Sequence, residues 1–181
     1  MTKRPTVLRR LDAILYKAAG TDTWREGKEW YAKARSKCVE FYVKHNVSMY
    51  DTCGLFAIAN INSSWEAVDK VAYNLWAYRK GMRVCVDKVT RLFGGAYYSE
   101  IFSPNSKTYN FAMNLHGSLN LVTVDRHMFN AAGTIHGKPA ARMIQSCVTE
   151  LAARYNLQPA QAQAIIWLQY RKQIKEKSRG V

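Results

Sequence analysis

Residues 107–129, KTYNFAMNLHGSLNLVTVDRHMF, decide the fold prediction for this chain. Apolar spacing predicts a helix with Lys107 near its start, followed by a short loop and a second helix that begins at Asp125. A lysine amine and a carboxylate that come together in a basic protein are suited to attack on a sugar carbon. The segment therefore predicts helical structure and also suggests a reaction.

The rest of the chain also indicates helices. Apolar residues recur at helical spacing, Pro159 suits the first turn of a final helix, and Gly94-Gly95 ends an earlier one. Residues 119–124 are expected to be extended. We predict an all-α fold, a compact multi-helix globule of about eight to nine helices. The helices expected from spacing alone cover residues 6–18, 23–44, 50–59, 84–92, 105–115, 138–154 and 159–177.

A capping box marks the start of one further helix. Ser63 is expected to bond forward into the first turn, and Glu66 to bond back. This helix is predicted to reach about Lys80 and to stop at Gly81, because glycine suits the residue that follows a helix.

The charge balance points to a polyanionic partner. The 181 residues include 27 Lys and Arg against 13 Asp and Glu, which gives a net charge of +14. Nucleic acid is the commonest polyanion, so a nucleic acid is the expected partner. An inert basic surface and an acidic protein partner are the alternatives.

Composition disfavours several other classes. No apolar run approaches the roughly 20 residues of a membrane span, and charges interrupt the apolar stretch near the N-terminus. None of the cysteines forms a CxxC pair, so we predict no metal and no other cofactor. Scattered thiols fit the cytoplasm of a bacterial or phage-infected cell, and we expect a monomer. The cysteines are Cys38, Cys53, Cys85 and Cys147.

The length suggests one domain. We predict a single helical domain over residues 1–181 with a motif region at residues 50–133. The flanking helices, residues 1–48 and 138–177, are the candidates for a second lobe.

The motif region resembles the helix-hairpin-helix DNA glycosylases, the endonuclease III and oxoguanine glycosylase superfamily. The positions that match the family's Lys-Thr, Asn, Asn and Val-Asp-x-His are Lys107-Thr108, Asn110, Asn114 and Val124-Asp125-Arg126-His127. The spacing from lysine to aspartate is the same as in endonuclease III. The resemblance implies the helix-hairpin-helix glycosylase fold in a divergent, compact member, of the kind that phage genomes often encode.

The resemblance also implies double-stranded DNA as the partner and base excision as the reaction. The target base must leave the helical stack before its sugar can be attacked. Lys107 would attack the sugar carbon and form a Schiff base, after which elimination can break the strand. Asp125 would stabilise positive charge on the sugar or activate water instead. A solvated lysine and a simple helix cap are the ordinary alternatives for these two residues.

Five further residues are candidates for DNA contact. The resemblance places Asn62 where the family fills the gap left by an extruded base. The hairpin lacks the two glycines usual in the family, but a left-handed Asn105 and the Ser106 hydroxyl could still hold a phosphate. Arg126 and His127 follow the candidate aspartate, and packing beneath the loop is the alternative role for His127.

Aromatic residues near the hairpin are candidates for a base pocket. Aromatic rings stack on flipped bases, but they also form protein cores. Both interpretations stay open for Tyr97, Tyr98, Phe102 and Tyr109.

Three functions fit these observations. The first is a DNA glycosylase, with or without abasic-site lyase activity, that excises a damaged or modified base. The second is a non-enzymatic DNA-binding protein on the same scaffold, which the missing hairpin glycines would suit. The third is an enzyme that transfers a group to a flipped base. All three require DNA binding that weakens as the salt concentration rises.

Overall fold

A computed structural model describes residues 2–61 and 63–180, and all regular structure within these residues is helical. The prediction of an all-α fold is confirmed, with ten α-helices and one short 3-10 helix in the described residues. The α-helices are α1 (Arg4–Ala18), α2 (Asp22–His45), α3 (Met49–Ala59), α4 (Val68–Tyr78), α5 (Arg83–Phe93), α6 (Tyr98–Ile101), α7 (Lys107–His116), α8 (Arg126–Ala132), α9 (Lys138–Arg154) and α10 (Pro159–Ser178).

The chain divides into two compact units. Unit 1 comprises residues 1–31 and 119–181, and unit 2 comprises residues 32–118. These boundaries differ from those of the predicted lobes, because residues 32–48 group with unit 2 and residues 119–137 group with unit 1.

Unit 1 is built on one buried face of α1. Val7, Leu11 and Leu15 recur every fourth residue and are fully buried, so they form the apolar stripe of an amphipathic helix. This stripe packs against α9 and α10. The first part of α2 comes very close to α10, where a Cβ atom added to Gly27 would lie 2.7 Å from the Cα atom of Ile165.

Unit 2 is built around α3. Every residue from Thr52 to Ala59 is buried, as expected for a helix that is apolar nearly all round. It packs against α4, α5 and α7. Ser48 caps its start by accepting a hydrogen bond from the backbone N–H of Asp51 at 3.0 Å.

The predicted boundaries of the helix after Ser63 are wrong. The Ser63 hydroxyl donates to the Ala59 carbonyl at 2.6 Å, so it does not cap the following turn. That turn is the 3-10 helix Trp65–Ala67, and α4 follows it. Arg79, whose φ is 48°, ends α4 in the left-handed conformation expected of Gly81. The short helix α6 is not among the helices predicted from the sequence.

Among the described residues, each helix is too short or too polar to cross a lipid bilayer.

Candidate active site

In unit 2, a turn joins α6 to α7 at the position of the predicted hairpin. Residues 102–106 separate α6 from α7, and Asn105 has a φ of 61°. Asparagine tolerates this left-handed conformation better than most residues, so the chain can reverse without the usual glycines. Ser106 accepts a hydrogen bond from the Tyr109 backbone N–H at 3.2 Å. Its hydroxyl proton can still be donated to a phosphate oxygen.

Lys107 is the first residue of α7 and is half-buried. Its Nζ atom donates to the backbone carbonyl of Asn60 at 3.4 Å, at the end of α3. The side chain therefore has a fixed direction within unit 2. The predicted gap-filling residue Asn62 lies outside the described residues.

The four candidate pocket residues have different environments. Tyr98 and Phe102 are each 2% exposed, so they belong to the core of unit 2, the alternative left open for them. Tyr98 stacks on Tyr50 with ring centroids 3.9 Å apart, and burial raises the pKa of the Tyr98 phenol. Tyr97 is 70% exposed and Tyr109 is half-buried. Only Tyr97 and Tyr109 among these four retain surface to offer a base.

The second candidate catalytic residue lies in unit 1, where Asp125 caps α8. Its Oδ1 atom accepts a hydrogen bond from the Met128 backbone N–H at 2.9 Å. Its Oδ2 atom accepts another from the Trp167 indole N–H, also at 2.9 Å. The exposed N–H groups and the dipole of a helix start favour a negative charge. The half-buried carboxylate is thus held from two directions.

Three side chains surround the indole that holds Asp125. The Arg171 guanidinium lies over the Trp167 ring at 4.4 Å, a cation–π arrangement. Trp30 and His127 each approach the indole edge-on, with ring centroids 6.1 Å away.

The two predicted DNA contacts that follow Asp125 differ in exposure. Arg126 is exposed in the first turn of α8, where a phosphate could reach it. His127 is half-buried, and its Nδ1 atom is buried without a hydrogen-bond partner among the described residues.

Sequence reasoning missed Trp167 and Arg171 as partners of the candidate aspartate. Their spacing on α10 is the i, i+4 spacing that brings two side chains together on a helix, so their mutual contact had a signal in the sequence. The bond from Trp167 to Asp125 joins residues 42 positions apart, and no local pattern predicts such a contact.

Unit 2 can supply an amine at Lys107, and unit 1 can supply a carboxylate at Asp125. An ionised carboxylate has about four lone-pair positions, so Asp125 retains acceptor capacity beyond its two bonds. Among the described residues, no three His, Cys, Asp or Glu side chains come together as a metal ion would require.

Comparison with known proteins identifies a family. A family model described as a family of unknown function (DUF7178) matches residues 2–174. No curated protein and no solved structure shows significant similarity to the chain.

Proposed function

We propose that this chain, which belongs to the DUF7178 family of unknown function, is a DNA glycosylase that flips a damaged or modified base out of duplex DNA and excises it. The observation that carries the proposal is the carboxylate of Asp125, fixed at a helix start by two donors. As the bond between sugar and base breaks, positive charge develops on the sugar. A fixed negative charge can stabilise this charge without reorganising.

Lys107 is the proposed nucleophile. Its Nζ atom would form a bond to the sugar carbon as the bond from that carbon to the base breaks, and the base would leave with a proton. Loss of the amine protons and opening of the sugar ring would then give a Schiff base, from which the 3′ phosphate can be eliminated. Attack requires the neutral form of this amine, which belongs to the first residue of α7.

The distribution of charge supports DNA as the partner. Between residues 79 and 91, unit 2 exposes four basic side chains, and Asp87 is the only acidic residue in that stretch. The exposed Tyr78 and Met82 lie in the same part of the chain, at the turn between α4 and α5. Basic side chains can neutralise phosphates, and exposed apolar ones can contact bases. The four basic residues are Arg79, Lys80, Arg83 and Arg91.

Borohydride trapping tests the proposed nucleophile. Wild-type protein incubated with duplexes that carry varied modified bases should form a covalent protein–DNA adduct when borohydride reduces the Schiff base. Lys107→Ala should lose the adduct, because the attacking amine is gone. The matched control is Lys88→Ala, which removes another half-buried lysine of unit 2 and should leave the adduct in place. Persistent trapping in Lys107→Ala would assign the nucleophile to another residue.

A second candidate is a DNA-binding protein without catalysis. One observation favours it, since both oxygens of Asp125 already accept hydrogen bonds within unit 1 and could serve only to cap α8. The two functions differ at this residue. Asp125→Asn would abolish base release in a glycosylase, whereas it would largely spare simple DNA binding.

A further inference from the structure

The cap of α8 contains one hydrogen bond more than capping requires. A capping aspartate normally uses one oxygen to accept a backbone N–H of the first turn, as Asp125 does with Met128. The bond from Trp167 to the other oxygen adds nothing to the backbone of α8. An indole N–H is only a donor, so it orients an acceptor in one direction.

The indole is itself held in place on several sides. Arg171 covers one face at 4.4 Å, and the Trp30 and His127 rings lie steeply inclined to the indole with centroids 6.1 Å from its own. All these groups belong to unit 1. Restricting the indole in this way restricts the direction of its N–H bond, and therefore the plane of the carboxylate that accepts it.

We propose that Trp167 is a positioning residue for the candidate aspartate, supported by Arg171. This inference rests on the proposed glycosylase function. The Met128 and Trp167 donors each engage one carboxylate oxygen and leave its other lone pairs directed away from both donors. A reacting sugar would then meet a carboxylate that does not rotate. Such preorganisation matters because small misplacements of reacting groups are costly in rate.

Trp167→Phe tests the inference, because it keeps a large ring and removes only the N–H donor and the five-membered ring. We expect the single-turnover rate of base release to fall about tenfold or more, because a misplaced reacting group is costly in rate. DNA affinity should stay within about twofold, since the indole carries no phosphate contact in this proposal.

Trp24→Phe is the matched control. Trp24 also lies in unit 1, but its ring contacts Tyr155 at 6.0 Å. This variant should keep the wild-type rate.

Arg171→Gln is a second test. It stays informative even if Trp167→Phe folds poorly, because Arg171 is only half-buried. We expect about a threefold loss of rate, since a cation–π contact at a partly exposed site is worth about 0.5–1 kcal/mol.

The outcomes separate this inference from the proposed function. If wild-type protein releases bases and Trp167→Phe does so at the same rate, the positioning role is refuted and the glycosylase stands. If wild-type protein releases no base from any duplex, the glycosylase proposal fails first. Exchange of the Trp167 indole proton, measured by NMR in wild type and Asp125→Ala, checks the bond independently of activity. Equal exchange rates in the two proteins would overturn the inference.

Discussion

Asp125 has a role in the fold and a separate, proposed role in a reaction. As a cap it stabilises α8 through Met128, an effect worth about 1 kcal/mol in typical helices. Asparagine caps helices about as well as aspartate. It carries no charge, however, and so cannot stabilise a positively charged sugar. Asp125→Asn therefore preserves the structural role of this residue and removes the proposed chemical one.

Tyr155 in unit 1 allows a prediction about pH. Burial first, and then the hydrogen bond that its hydroxyl donates to Asp12 at 2.8 Å, raise the pKa of Tyr155 to about 12. The raised pKa means that the folded state favours the protonated phenol. The stability that the protonated Tyr155 adds to the folded protein is complete below the unfolded pKa of about 10. It is lost as the pH rises from about 10 to about 12.

We therefore expect wild-type protein to lose more stability than Tyr155→Phe between about pH 9 and about pH 11.5. The measurement is urea unfolding of both proteins at several pH values in this range. The difference between the two proteins cancels the effects of other groups that titrate there. If the two stability curves run parallel, Tyr155 does not titrate in the way its surroundings indicate.

At the scale of elements, several helix starts were predictable because the signals are local. Ser106, Asp125 and Pro159 all stand at or beside the first residue of a helix, and each acts through neighbours within three or four residues. The left-handed Asn105 belongs to the same group, since a short polar side chain tolerates this backbone conformation.

The predictions of helix ends and contacts failed where tertiary contacts, or local contacts that compete with capping, decide the structure. Ser63 has the residue type of a cap, but its hydroxyl donates a hydrogen bond to the carbonyl of Ala59, four residues earlier. Arg79 ends α4 although it has a Cβ atom, with its side chain donating back to the carbonyl of Leu75 at 3.2 Å. The helix α6 has four residues, too few to show a helical period. The partner of Asp125 on α10 could not be predicted because it is distant in sequence.

Gly27 gives a prediction about the packing of α2 against α10. A Cβ atom there would lie 2.7 Å from the Cα atom and 2.8 Å from the backbone nitrogen of Ile165, and backbone atoms cannot rotate away. We expect Gly27→Ala to destabilise unit 1 by about 1–3 kcal/mol, the usual cost of overpacking. This is the net loss, because the helix propensity of alanine already offsets about 1 kcal/mol of the steric cost.

Chemical denaturation monitored by tryptophan fluorescence measures the effect of Gly27→Ala. The matched control is Gly137→Ala, because a Cβ atom at Gly137 has its nearest neighbour at 3.8 Å. That variant should unfold close to the wild-type midpoint. Equal midpoints for Gly27→Ala and wild type would contradict the close helix packing.

At the scale of the whole molecule, the chain passes from unit 1 to unit 2 within α2 and returns to unit 1 after α7. The candidate amine belongs to unit 2 and the candidate carboxylate to unit 1. The net charge of +14 concerns the whole chain and bears on its partner rather than on its fold. Composition predicts a polyanionic partner, and this stays a prediction. Of the four aromatic candidates for a base pocket, only Tyr97 and Tyr109 retain surface that a base could contact.

The most direct test of the central proposal is the mass of DNA after incubation with the protein. Wild-type protein and Asp125→Asn are incubated with duplexes that carry varied modified bases, and each strand is weighed by mass spectrometry. We predict that wild-type protein removes the mass of one base from at least one duplex, with or without strand cleavage, and that Asp125→Asn leaves that duplex intact. Unchanged masses for every duplex, or a strand that gains mass, would contradict base excision.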